Sequence, residues 1–325
     1  MRNLTSIVLL CLFFSCQEKK MTHTFVTPEI LTDSIYTRMP GDLIVCGDQL
    51  VWSDPFSKKD FLHVVDSKTG EEIGTMAKIG QGPEEFITPG VSAFVRNRHL
   101  YVSDANSPRT GYFSLDSFLL GKKYRIDLAK NPSYSDKLGE NFSLINSEEG
   151  NTAYFKATIG GEDIYFGKFP IENESFYFWG EVAYSPINEY LVYAVGKFPY
   201  LALYKKEGKN LSLVWERKEV PEYRISDNRI FFEGERSGAR GVVLLKDYIV
   251  TIERDRNVDK TDESKVGRDA SKLPHTLYIY DYDSNLKQIL NFQMPISRIG
   301  GEANKNTIYM IVANPEYAIA KYEIQ

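Results

Sequence analysis

The sequence is poor in the residues and patterns that usually mark site chemistry. It has four histidines, His23, His63, His99 and His275, and none stands at helical or alternating-strand ligand spacing from another. Spacing therefore gives no zinc site. No Gly-x-Ser-x-Gly or His-Glu-x-x-His pattern occurs. The run Asp259-Lys260-Thr261-Asp262-Glu263 lacks the glycine and terminal glutamate of a calcium loop. No metal, cofactor or catalytic residue is assigned. Cysteines number three, too few for a disulfide framework, and Cys46 lies in the apolar run Leu43-Ile44-Val45-Cys46, which reads as core. Lys and Arg total 39 against 44 Asp and Glu, a net charge of −5. That argues against a nucleic-acid binder, which needs a basic face to displace counterions. There is no Ser/Gly tract or proline-rich linker and almost no helical periodicity. The chain therefore reads as one domain without helical layers.

What is present begins at the N-terminus. Arg2 supplies a positive start, Ile7 to Phe14 form a short apolar core, and Ser15 precedes Cys16. The stretch is too short to persist as a membrane-spanning helix and reads as a secretory signal. A small residue directly before a cysteine resembles the signal of bacterial lipoproteins, in which that cysteine is acylated. Phe13 stands where the strict pattern has Leu, so the lipobox is a relaxed one. The expectation is a signal peptide over 1–15, lipid attachment at Cys16, a tether over 16–21 and a folded domain over 22–325. Loss of Arg2 takes the formal charge from −5 to −6. Acyl chains hold a protein on a bilayer because each buried CH2 contributes about 0.8 kcal/mol. Gln17-Glu18-Lys19-Lys20 lacks the acidic cluster of surface-displayed lipoproteins, so the expectation is a cell-envelope, outer-membrane anchor facing the periplasm, with the cell surface as the alternative.

Aromatics make up 13% of the chain, mostly Tyr and Phe, in short β-branched and aromatic runs separated by turns. That composition predicts an all-β protein. One pattern recurs: a short strand, a polar or glycine-bearing corner, then a strand rich in Tyr and Phe. It is seen in QLVWSDPFSKKDFLHVVDSKTG from Gln49, HLYVSDANSPRTGYFSLDS from His99, NTAYFKATIGGEDIYFGKF from Asn151 and EYLVYAVGKFPYLALYKKEG from Glu189. The pair DYIVTIERDRN and HTLYIYDYDSN, and NTIYMIVANPEYAIAKYEI from Asn306, complete the set. Flanking runs such as DLIVCG and EEIGTMAKI supply further strands; SFYFWGEV is assigned as the last strand of the third unit. The count predicts a six-bladed β-propeller of four-stranded antiparallel blades. The sixth copy lacks a fourth strand, and residues around 22–30 are expected to supply it and close the ring.

The connector KIGQGPEEFITP is framed by two glycines and two prolines. Gly80 and Gly82 permit unusual backbone angles where the chain passes between blades, Pro83 stiffens the turn, and Phe86 is expected to plug the space between blades before Pro89. A phosphate cradle would need a following Lys and a helix, and Glu84 and Glu85 would repel the phosphate. Gly80, Gly82, Phe86, Pro89, Tyr101, Val102, Asp104, Asn106 and Arg109 together resemble one repeat of the NHL-type propellers. With the lipobox, the connector resembles the TolB-like six-bladed propeller lipoproteins of Bacteroides-type bacteria, a family that implies the fold but no particular activity.

Candidate binding residues are Asp54 and Asp104, at the ends of equivalent strands, with Arg109, Arg229, Glu233 and Arg236. Carboxylate pairs are weighed because glycoside hydrolysis needs two of them about 5–10 Å apart; turn-bonding is the simpler role for these two. The segment SDNRIFFEGERSGAR from Ser226 is expected near a mouth of the ring, and Asn257 to Pro274 reads as a charged surface loop. The function expected is a lipid-anchored envelope module binding a protein or glycan partner without catalysis. The alternative is a hydrolase or lyase, acting on a glycan or lactone, with a polar site at the axial mouth.

Overall fold

The computed structural model describes residues 22–96, 98–126, 141–144, 153–159, 162–168, 170–171, 178–226, 229–234, 236–259 and 270–325. The signal, Cys16 and the tether lie outside the described residues, as does most of the charged loop after Asp259. Two strands come first, His23–Phe25 (β1) and Glu29–Ile35 (β2). Leu43–Cys46, Gln49–Ser53, Asp60–Asp66 and Glu72–Lys78 (β3 to β6) form one antiparallel blade. Pro89–Arg96, His99–Asp104, Thr110–Ser114 and Arg125–Ile126 (β7 to β10) form the next, with a short helix, Leu115–Leu119 (α1), before its last strand. Asn141–Leu144, Phe155–Ile159 and Glu162–Phe166 (β11 to β13) make a three-stranded sheet. Gly180–Ser185, Tyr190–Val195, Tyr200–Glu207 and Asn210–Lys218 (β14 to β17) form a blade, followed by the hairpin Glu222–Ser226 and Arg229–Glu233 (β18, β19). Arg236–Leu244, Tyr248–Asp255, Thr276–Asp281 and Leu286–Asn291 (β20 to β23) form another blade, and Ile296–Gly300, Thr307–Asn314 and Glu316–Glu323 (β24 to β26) the last.

Alternation along each strand explains how the blades stack. Leu43 and Val45 of β3 pack into the cluster shared with Tyr309, Ile311 and Ile319 of the last blade. Ile44 and Cys46, which point the other way, join the cluster with Val102 and Phe113 of the second blade. In β16, Leu201 and Leu203 face the blade of β20 to β23, while Tyr200, Ala202 and Tyr204 face the three-stranded sheet. Middle strands are thus buried on both sides. The outermost strand β17 alternates between exposed and partly buried residues.

The expectation of six four-stranded blades is corrected by this arrangement: the propeller has five blades, not six. The innermost strands β3, β7, β14, β20 and β24 touch in a closed cycle of five. The third unit contributes the three-stranded sheet, whose Phe155, Ile159 and Phe166 pack on Leu191, Tyr193 and Tyr204 of the following blade. SFYFWGEV does not end the third unit. Its last residues open β14, which turns back on β15 with Ser185 opposite Tyr190 and so becomes the inner strand of the next blade.

Closure involves the N-terminus, with a shift from the segment expected. β2 pairs antiparallel with β26 and supplies the fourth strand of the last blade, Ile30 lying opposite Ala320. His23–Phe25 instead adds a fifth, parallel strand to the preceding blade beside β23. His23 Nε2 lies 3.0 Å from Asp255 Oδ2, fastening β1 to that blade.

A candidate site in the axial cavity

The innermost strands enclose a cavity of about 660 Å³ at the propeller axis, walled by residues of β3, β14, β20 and β24. Three charged side chains from three blades enter it: Asp42 just ahead of β3, Glu181 in β14 and Arg298 in β24. Asp42 is held by its backbone, whose N–H donates to Ser53 Oγ at 3.0 Å and whose carbonyl accepts from Ser53 N at 3.1 Å. Trp179 stands two residues before Glu181 on extended chain, so both side chains project to the same side and both line the cavity. The carbonyl of Trp179 accepts from Gly196 N at 3.0 Å. The intervening Gly180 lies so close to the Ala194 carbonyl that a Cβ there would collide with it. Lys197, Arg240 and Glu302 complete the charged lining. Glu302 Oε1 accepts from Gly47 N at 2.9 Å.

Burial governs the electrostatics. It pushes the Glu181 carboxyl up to about 7; the Arg298 guanidinium pulls against the shift and the Asp42 carboxylate adds to it. Burial also raises Asp42, opposed by Arg298 and by a backbone bond from Val91. Near neutral pH Glu181, with Asp42 and Arg298 as the charged groups that act on it, is therefore close to half-protonated. Such a group can donate or accept a hydrogen bond, and a ligand with both donors and acceptors satisfies it. Among the described residues, no three His, Cys, Asp or Glu side chains converge to hold a metal ion.

No family model and no curated protein matches the chain. Solved structures do share its architecture. A Bacteroides fragilis protein described as exported is 10% identical with a TM-score of 0.55, over 92% of this chain and 94% of its own. A member of the DUF4221 family from Bacteroides vulgatus is 9% identical with a TM-score of 0.51, over 91% and 94%. Regucalcin of Agrobacterium tumefaciens, described as a calcium-binding protein, is 9% identical with a TM-score of 0.50, over 93% and 95%. At such identities these likenesses show a β-propeller and nothing finer. The resemblance to TolB-like and NHL-like six-bladed lipoproteins is accordingly corrected: no family match supports it, and the ring is five-bladed.

Of the segment from Ser226 expected near a mouth of the ring, Arg240 lines the cavity; the individual candidate residues lie elsewhere. Asp104 accepts from the backbone N–H groups of Ile87 (2.6 Å), Thr88 (3.2 Å) and Asn106 (2.9 Å). Burial works to raise its carboxyl, but these bonds win and hold it below the ordinary range. Asp54 accepts from Thr37 Oγ1 at 2.9 Å and Phe56 N at 3.0 Å. Arg109 clasps the connector, donating to the carbonyls of Gly82 at 2.7 Å, Glu85 at 2.8 Å and Gln81 at 3.1 Å. Gly80 and Gly82 make room for the Glu85 carboxylate, which accepts from Gly82 N at 2.9 Å. Pro83 is exposed, and Pro89 is buried at the start of β7. Phe86 is fully buried between Phe61 of one blade and Phe113 of the next. Arg229 and Glu233 are exposed on the β18–β19 hairpin. Arg236 is half-buried beside Glu253 (2.7 Å) and Glu219 (3.1 Å), bonds the Tyr280 hydroxyl, and lies 3.9 Å over the Tyr278 ring. None of them lines the axial cavity.

Proposed function

We propose that this chain is a lipid-anchored binding module of the cell envelope that receives part of its partner, a protein or a glycan, in the axial cavity. The observation that carries the reading is the cavity itself. Its volume suits a small ligand or the end of a larger one. Its carboxyl and guanidinium groups come from three blades, with the Trp179 indole two residues ahead of Glu181. The N-terminal signal supports attachment through Cys16 to the outer membrane, facing the periplasm. Two measurements test this. Cys16→Ser should abolish palmitate labelling and move the protein from the membrane to the soluble fraction. The immobilised chain should retain an envelope component that Arg298→Ala fails to retain; equal retention by both would overturn the cavity as the binding site.

A second reading, hydrolysis or elimination on a glycan or lactone, is favoured by one observation: Glu181 is raised to about 7 beside a second carboxyl, as a general acid requires. Turnover of such a substrate that disappears in Glu181→Gln while binding persists would favour it over the non-catalytic module.

A further inference from the structure

We propose that the axial cavity takes the ring of a neutral pyranose sugar, with the Trp179 indole against its apolar face and Asp42, Glu181 and Arg298 around its hydroxyl edge. The inference rests on the reading of the cavity as the module's binding site. Trp179 is 59% exposed, although its neighbour Phe178 is 2% exposed. The chain thus buries one aromatic of the pair and presents the other to the cavity. A large apolar surface left open in a concave, charged site is what a ligand with one apolar face would cover.

The charges narrow the class. Burial has stripped water from two carboxyls that share one guanidinium. A purely apolar ligand would cover Trp179 but leave these groups without partners, at a cost for each unmatched polar group. An acidic ligand would bring a further negative charge beside Asp42 and Glu181, with Glu302 also on the lining. A neutral sugar offers hydroxyl donors to the carboxyls and oxygen acceptors to Arg298, while its C–H face packs on the indole. The other charged groups facing Glu181 across the cavity are Lys197 from the turn after β15, Arg240 of β20 and Glu302 beyond β24. Arg298 is the cation whose charge acts on both Asp42 and Glu181.

Glucose, glucosamine and glucuronate share one ring and differ in charge, so they form a matched probe set for the full chain. Saturation-transfer NMR and titration calorimetry at pH 8 should show glucose bound more tightly than glucuronate. Trp179→Ala should weaken glucose about tenfold, and Trp179→Phe, which keeps an aromatic face, should recover most of the loss. Melting temperatures of both variants, at an exposed position, separate lost binding from lost folding. Tighter binding of glucuronate than glucose, tighter binding of glucosamine than glucose, or indifference to Trp179→Ala would each overturn the proposal. Failure of all three sugars, with retention of an envelope component that still depends on Arg298, would overturn the sugar and leave the binding module. Failure of both would remove the module reading as well.

Discussion

Glu181 makes the chain's stability depend on pH in a direction opposite to that of an ordinary surface carboxylate. Its carboxyl titrates near 7 in the folded chain against 4.5 when unperturbed. The folded protein thus holds this proton over a range in which the unfolded chain has released it. The associated stability is whole below about pH 4.5 and is lost as the pH rises to and through 7. At about 1.36 kcal/mol per unit, the loss by pH 8 amounts to about 3 kcal/mol, of which less than about 1 kcal/mol has occurred by pH 5. Glu181→Gln keeps the shape of the protonated side chain and cannot ionise. Urea unfolding should therefore find the two proteins similar at pH 5 and the variant more stable by about 3 kcal/mol at pH 8. Asp42 is present in both proteins, so its own titration largely cancels in the difference. A stability difference that stays constant from pH 5 to pH 8, or a wild-type chain that is the more stable at pH 8, would exclude a raised Glu181 carboxyl.

Three further outcomes follow from the packing and bonding described. Phe86→Ala empties the space between Phe61 and Phe113 and should cost about 3–5 kcal/mol in a denaturant midpoint measurement, with Phe86→Leu costing clearly less. Arg109→Ala releases three connector carbonyls and should lower stability by about 1–3 kcal/mol, with faster amide exchange at Gly80 to Phe86, whose ladder bonds the clasp supports. Arg236→Met leaves the buried Glu253 carboxylate without its guanidinium and should cost about 3–5 kcal/mol; adding Glu253→Gln should restore part of that, which a double-mutant cycle measures.

Much of the architecture is legible because blade strands obey a local rule. Leu43, Val45, Leu50 and Trp52 alternate with Ile44, Cys46 and Val51, and that alternation assigns each residue to one of two neighbouring blades. The number of blades follows no such rule. Repeat counting detects hairpins, and the hairpin of Phe155–Ile159 with Glu162–Phe166 looks like the others in sequence. Membership of the ring depends instead on whether the first strand of a unit reaches its neighbours at the axis, a contact between residues far apart in the chain. β7 meets β14 directly, so the cycle closes over five strands. The same non-local pairing decides the fate of SFYFWGEV. Its aromatic run reads as one outer strand, yet an inner strand begins at Gly180, where close approach to the Ala194 carbonyl admits no side chain.

The axial cavity did not stand out in the sequence for a related reason. Asp54 and Asp104 stand out because they end strands with clear patterns, and strand ends are where carboxylates are needed to bind turn N–H groups. Arg109 stands out next to them and serves the same corner. Asp42, Glu181 and Arg298 lie in or at the entry of the first strands of three different blades, and no local sequence pattern links them. Arg298 lies in Ile-Ser-Arg-Ile-Gly, where Ile296, Ile299 and Gly300 are buried. A charge in such a run is costly unless another charge answers it. Asp42 directly before Leu-Ile-Val-Cys and Glu181 between Gly180 and Val182 pose the same problem in two other first strands. Only at the axis can three such residues from separate blades meet. A charge inside or at the entry of an inner strand is therefore a stronger pointer to the cavity than a carboxylate at a well-formed turn.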